Sequence, residues 1–256
     1  MPHGTLAGKV VVIVGASSGL GLSAARACVA AGARVVGVAP AATDVDGVRF
    51  HVGDARAPET ARDAIRLALA EFGAFDALYH VAGGSGRGFG DGPLHAISDA
   101  GWDETLRLNL GSAFYSARAA AESLRARKSA GSVLLLGSVL GRSPSPGFFD
   151  THAYATAKAG IVGLVTTAAA FYAPQGIRFN ALLPGLTDTP MSERAMRDPG
   201  ILAFVRAKQP LDGGRPGAVT DLDAAAVFFL SDASRFVTGQ ALAVDGGWSV
   251  TDGSAR

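Results

Sequence analysis

The strongest constraint in this chain is a rhythm of seven short aliphatic runs separated by longer Ala-, Leu- and Arg-rich stretches. The runs are Val10–Val14, Arg34–Ala39, Val48–Val52, Ala77–Val81, Ser132–Leu136, Arg178–Leu183 and Ala241–Val244. Most are apolar at consecutive positions, so strands built from them must be covered on both faces, as parallel strands are. Helices are expected near 19–31, 58–72, 98–127, 152–173, 190–206 and 218–230. No internal repeat or linker interrupts the alternation. Repeated βαβ units with right-handed crossovers predict an α/β fold: one Rossmann-type domain over 1–256, a doubly wound parallel sheet with helices on both faces. Ligands of such sheets bind beyond the carboxyl ends of the strands, so the residues just after each strand carry the functional information.

Composition narrows the classes further. Hydrophobic residues are 48% and charged residues 18%, a globular balance. The net charge is +1 with no basic run, so no nucleic-acid partner is expected. No uninterrupted apolar run approaches the ~18 residues of a membrane span. Val10–Val14 after Lys9 is too short for a signal-peptide core, and a cytoplasmic protein is expected. The lone Cys28 lies in an Ala-rich helical stretch and reads as a small buried hydrophobe, with no disulfide possible within the chain. The five histidines have no metal-ligand spacing, and no metal is expected.

The first run leads directly into Gly15-Ala16-Ser17-Ser18-Gly19-Leu20-Gly21 and then a helical stretch. Gly15 permits a tight turn, Gly19 lets backbone approach a pyrophosphate, and Gly21 lets the helix pack on the strand. The free N–H groups and partial positive charge of the helix start then face the phosphates. Ser17, Ser18 and Leu20 complete this candidate cradle.

Tyr154 and Lys158 stand four residues apart in a predicted helix and so share a face. An unperturbed phenol ionises near pH 10, too high for a neutral-pH proton shuttle. A neighbouring ammonium is expected to lower that value and to let Tyr154 exchange a proton with an alkoxide. Ser138 closes the fifth strand, where its hydroxyl suits a substrate carbonyl oxygen. Asn109 lies inside a predicted helix, where Asn is a poor helix former. Pro184-Gly185-Leu186-Thr187-Asp188-Thr189 follows the sixth strand.

The G-x-x-x-G-x-G turn, the Y-x-x-x-K pair and the Asn, Ser and Pro-Gly positions, in this order, resemble the short-chain dehydrogenase/reductase family. The likeness runs to Thr238-Gly239-Gln240 and Val244-Asp245-Gly246-Gly247. It implies an enzyme that moves a hydride between NAD(P)(H) and a carbonyl or secondary alcohol, such as a ketone reductase or a 3-oxoacyl-type reductase. It implies Asn109, Ser138, Tyr154 and Lys158 as the catalytic tetrad, with Lys158 holding the nicotinamide ribose and Asn109 anchoring a relay water. It also implies Asp54 at the adenine, Thr189 at the carboxamide, and Ala39, Ala55, Ala82, Gly83, Pro184, Gly185 and Thr187 along the cofactor, with Tyr154 and Lys158 touching it too. A homotetramer built through helix 153–173 and the helix before it is implied as well. That helix is apolar on more than one face, which fits.

Three departures stand out. Val14 takes the place of a usual Thr, His80-Val81 take the place of two Asn, and the stretch 143–149 lengthens the loop before Tyr154. The second strand ends on Ala39 followed by Pro40, without the acid that would select NAD. No Arg stands at 18 or 40 either, so NADP is favoured over NAD only by the missing repulsion. The segment 190–215 is expected to form a substrate lid. Met191, Met196, Ile201, Leu202, Phe204 and Val205, with Phe148, Phe149 and Trp248, either line a partly hydrophobic pocket or pack the lid onto the body. His95 and His152 are candidate polar contacts. The Gly-rich stretch 83–92 reads as a flexible loop, with Arg87 either solvated or facing an anionic substrate group. The competing class is a non-catalytic dinucleotide sensor, but such proteins tend to lose the Tyr or Lys present here.

Overall fold

The computed structural model describes residues 5–41 and 43–253; residues 1–4, 42 and 254–256 of the expected domain lie outside them. Seven parallel strands form one sheet in the order β3-β2-β1-β4-β5-β6-β7. They are β1 (Val10–Val14), β2 (Arg34–Ala39), β3 (Val48–Val52), β4 (Ala77–His80), β5 (Gly131–Leu136), β6 (Ile177–Pro184) and β7 (Ala241–Val244). All five residues of β1 are buried, and they alternate between two cores. Val10, Val12 and Val14 face helices α2 (Thr60–Phe72), α4 (Ser112–Ala126) and α5 (His152–Tyr172). Val11 and Ile13 face α1 (Gly19–Ala30) and α8 (Asp223–Leu230). The two-sided burial inferred from consecutive apolar residues is thereby realised. Cys28 packs in the second core, where burial, followed by the charge of Asp223, pushes its thiol up to about 12.

Strand order reverses between β1 and β4, and their ends touch there. The Val14 carbonyl accepts the N–H groups of Val81 (2.8 Å) and Ala82 (3.0 Å). A Cβ on Gly15 would lie 2.7 Å from the Ala82 nitrogen, so only glycine allows the approach. Because the backbone of Val14 makes this join, the loss of a Thr hydroxyl leaves it intact.

Three expected helices are subdivided. The 98–127 stretch forms α3 (Asp99–Leu106), a π-helical turn at Arg107–Gly111, and α4. The turn widens where Asn109 uses its side chain on backbone: Nδ2 donates to the carbonyls of Thr105 (3.0 Å) and Gly84 (2.9 Å), and Oδ1 accepts from Gly84 N (3.1 Å). The 190–206 stretch becomes a 3-10 turn, α6 (Glu193–Met196) and α7 (Pro199–Lys208). Asp198 caps α7 by accepting from Gly200 N and Ile201 N, with Pro199 in the first turn. The 218–230 stretch opens as a 3-10 turn before α8.

The Gly-rich stretch 83–92 is not a loose loop. Phe89 N and Asp91 N both donate to the Gly86 carbonyl, closing a 3-10 turn at Arg87–Phe89. Among the described residues one helix, α5, is long and apolar enough to cross a membrane, although Lys158 interrupts its apolar run. Its Ile161 and Val165 are buried in the core instead.

His80 resolves the substitution at the end of β4. Its ring is fully buried, with Nδ1 2.9 Å from Ser116 Oγ and Nε2 3.1 Å from Ser112 Oγ. Ser112 spends its own proton on the Leu108 carbonyl (2.6 Å), so it accepts from Nε2–H. Burial and then the Lys158 charge pull the imidazole down to about 3. The unfolded chain therefore takes up a proton below pH 6.5 that the folded protein refuses, so stability falls as pH drops from about 6.5 toward 3. His80→Asn should reduce the loss of unfolding free energy between pH 7 and pH 5 by about 2 kcal/mol in denaturant titrations. An identical pH slope in both proteins would refute this.

Candidate active site

The carboxyl ends of the strands assemble one cleft of about 240 Å³. Ser138 follows β5 in extended conformation and its Oγ accepts from Leu140 N (3.2 Å). Tyr154 and Lys158 project from the first turns of α5. Asp91 fixes that helix start: its carboxylate accepts from Ala153 N (3.0 Å) and Tyr154 N (2.9 Å) while 5% exposed. The folded 83–92 segment is thus tied to the residue that carries the phenol. Lys158 Nζ donates to the Leu136 carbonyl (2.8 Å) and stands 5.6 Å from the centroid of the Tyr154 ring. Asn109 meets this group from the other side of Gly83, where an added Cβ would lie 2.7 Å from Asn109 Oδ1 and 3.4 Å from Lys158 Nζ. All four expected tetrad residues are buried; Ser138, Tyr154 and Lys158 line the cleft, and Asn109 lies behind Gly83 outside the lining.

The electrostatics differ from expectation in one respect. Burial holds the Tyr154 phenol above its usual value, opposed by its hydrogen bond with Ser138. Burial outweighs any pull of Lys158, whose ammonium donates to Leu136 O and whose own value burial brings down to about 8. The protonated phenol is the form that donates to a carbonyl oxygen.

At the neighbouring strand ends, Ser18 begins α1 in extended conformation without a side-chain cap, leaving first-turn N–H groups available to an anion. A Cβ at Gly21 would overlap the Gly15 carbonyl oxygen, so the helix lies directly on the turn. Ser17 is half-buried in the turn and Leu20 lines the cleft. Ala39 is buried at the end of β2, and its carbonyl accepts from Gly53 N (2.9 Å). Asp54 follows β3; the hydrogen bonds of Arg56 hold its carboxyl below the usual range. Ala55 and Ala82 pack against the core. Gly83, Pro184, Gly185, Thr187 and Thr189 line the cleft. An uncapped helix start, a glycine cradle and an ammonium with donors to spare fit a dinucleotide.

Two positioning residues escaped sequence reasoning. Gln209, 2% exposed, accepts from Leu186 N (2.6 Å) and donates to Leu186 O (3.2 Å), clamping the segment after β6 as a strand neighbour would. Asp91 is the other, and no spacing rule links position 91 to position 153. The apolar candidates divide. Phe149, Met191 and Trp248 line the cleft, whereas Phe148 stacks on Phe204 (4.3 Å), which packs edge-on to Trp248 (5.6 Å). Met196, Ile201, Leu202 and Val205 stay outside the lining. So do His95 and His152; His152 Nδ1 donates to the Gly92 carbonyl (2.9 Å).

A family model described as enoyl-(acyl carrier protein) reductase matches residues 15–249. The chain is 34% identical over 252 residues to a cis-4-hydroxycyclohexanecarboxylate dehydrogenase of Sinomonas cyclohexanicum, covering 94% of this chain and 96% of that protein. It is 32% identical to a 3-oxoacyl-[acyl-carrier-protein] reductase of Salmonella typhimurium, covering 94% and 97%. The ligand-free aldohexose dehydrogenase of Thermoplasma acidophilum superposes with a TM-score of 0.87 at 26% identity, covering 99% of each chain. With its parallel sheet, glycine turn and buried Ser-Tyr-Lys group, this chain belongs to the short-chain dehydrogenase/reductase family of NAD(P)-dependent oxidoreductases.

Proposed function

We propose that the protein works as a carbonyl reductase in which Tyr154 is the general acid. The convergence of Ser138, Tyr154 and Lys158 at one end of a largely apolar cleft carries this reading. A reduced dinucleotide bound in the glycine cradle would supply the hydride for the carbonyl carbon. Ser138 Oγ and the Tyr154 hydroxyl donate hydrogen bonds to the carbonyl oxygen, and Tyr154 releases its proton to that oxygen as alkoxide character develops. The phenolate left behind is stabilised by the Lys158 ammonium, which also holds the nicotinamide ribose. Asn109 has committed its side chain to Thr105 and Gly84, so its backbone carbonyl is the anchor for the relay water. Gly15, Ser17, Ser18, Gly19, Leu20 and Gly21 cradle the pyrophosphate, Ala39, Asp54 and Ala55 border the adenosine, and Ala82, Gly83, Pro184, Gly185, Thr187 and Thr189 border the nicotinamide. The segment 190–215 acts as the substrate lid of this single domain.

The substrate is a ketone or a 3-oxoacyl compound with an apolar body, a reading supported by the apolar walls of the cleft and by the 3-oxoacyl reductase among the relatives. NADPH is preferred over NADH because Ala39 presents no carboxylate to repel a 2′-phosphate. The exposed Phe114 on α4, Phe171 on α5 and Phe228 on α8, with Phe236 and with Leu242 on β7, support a homotetramer. A sensor role is disfavoured by a Tyr–Lys pair that is both present and in place.

Reduced-nicotinamide consumption across ketones, diketones and acyl thioesters tests the activity. Tyr154→Phe should lower kcat by roughly 10²–10⁴-fold with dinucleotide affinity kept; full turnover would overturn the mechanism. Lys158→Ala should weaken both turnover and dinucleotide binding. Because Lys158 is charged below about 8 and neutral above, wild-type cofactor affinity should fall as pH rises through about 8, and this dependence should vanish in Lys158→Ala. Equal affinity for NADPH and NADH in calorimetry would refute the cofactor preference, and a monomer in sedimentation would refute the tetramer.

A further inference from the structure

Two arginines in the cleft have no part in the chemistry above. Arg87 sits on the 3-10 turn of the Gly-rich segment and Arg194 on α6, and both line the cleft that contains Ser138 and Tyr154. Among the described residues neither is within 4.0 Å of a carboxylate, whereas Arg197 on the same α6 segment pairs with Glu193. Burial lowers the Arg87 value, and the charge of Arg194 lowers it further, so the two guanidinium groups sense each other. Asp91 and Asp150 act in the opposite sense from beyond ion-pair distance. Asp91 caps α5 with both oxygens, and Asp150 Oδ1 accepts from Gly147 N (2.9 Å). Arg194 spends one N–H on the Phe148 carbonyl (3.3 Å). A guanidinium carries five donors in a fork that matches an oxyanion, and both side chains, exposed where they line the cleft, keep donors for a ligand. Both line a cleft whose other walls include Leu140, Phe149, Met191 and Trp248, so an anion there meets two positive charges beside apolar walls.

We propose that Arg87 and Arg194 form an oxyanion subsite, and that the substrate reduced between Ser138 and Tyr154 carries an anionic group joined to the carbonyl by an apolar body. This rests on the carbonyl-reductase reading. It narrows the substrate to a charged class, either a keto acid or an acyl thioester bearing a carrier phosphate. The Arg87 turn leads into Asp91 and hence to the Tyr154 backbone, so a substrate anion bound there is held to the same segment that sets the phenol.

The test compares pairs that differ only in charge: keto acids against their methyl esters, and acyl thioesters of pantetheine 4′-phosphate against those of pantetheine. The proteins are wild type, Arg87→Gln, Arg194→Gln and the double variant. Wild type should favour the anionic member by at least about 10-fold in kcat/KM, mainly through KM. Each substitution should remove roughly 10-fold on the anion, the strength of a charge-assisted hydrogen bond, and little on its neutral partner. Discrimination confined to keto acids names a free carboxylate, and discrimination confined to the phosphate pair names a carrier. Equal rates on both members, equal losses on both in the variants, or a matching loss of NADPH affinity would overturn the subsite. Calorimetric binding of the same pairs to Tyr154→Phe separates the two ideas. Charge-dependent binding lost in Arg87→Gln/Tyr154→Phe upholds the subsite even if no carbonyl is turned over, an outcome that would sink the reductase reading alone. Binding indifferent to charge sinks the subsite.

Discussion

The join between the ends of β1 and β4 organises this molecule. Val14 gives its carbonyl to two N–H groups of the neighbouring strand end, and Gly15 lets the Ala82 backbone come within contact. The chain leaves β1 toward α1 on one side and leaves β4 toward the folded Gly-rich segment on the other. The crevice between those departures is where strand order reverses and where an open α/β sheet accepts a ligand. The glycine turn, the Gly83–Asn109–Lys158 grouping and the Asp91 cap all radiate from it.

Around this crevice His80, Asn109 and Asp91 are buried polar residues whose side chains each find partners. His80 is bridged by Ser112 and Ser116 and remains neutral, so it adds no second positive charge beside Lys158. Asn109 satisfies three backbone groups at the expense of a regular helix. Asp91 satisfies the first N–H groups of α5, so the helix that bears the phenol starts at a fixed place. Buried polar networks rigidify when every member is paired, and here the pairing converges on Tyr154 and Lys158. Arg87 and Arg194 are the contrast: they line the cleft with no carboxylate within 4.0 Å among the described residues.

Sequence and tertiary structure divided the decisions along a physical line. Consecutive apolar residues in short runs required a sheet buried on both faces, and a glycine turn after the first run required a phosphate-facing helix start; both are local, so both were legible. The Tyr154–Lys158 spacing was legible for the same reason, since four residues along a helix is one turn. The breaks at Asn109 and Asp198 were only half legible: Asn109 stood out as a poor helix former, and Asp198-Pro199 carried a cap signal inside a stretch read as one helix. What sequence could not reach was every decision made by groups far apart along the chain. Burial set the Tyr154 value against the expected pull of Lys158, two serines on α4 settled the state of His80, Asp91 found α5 across 62 residues, and Gln209 found Leu186. Such pairings depend on desolvation and on distances set by the packed sheet, and no periodicity along the chain encodes them.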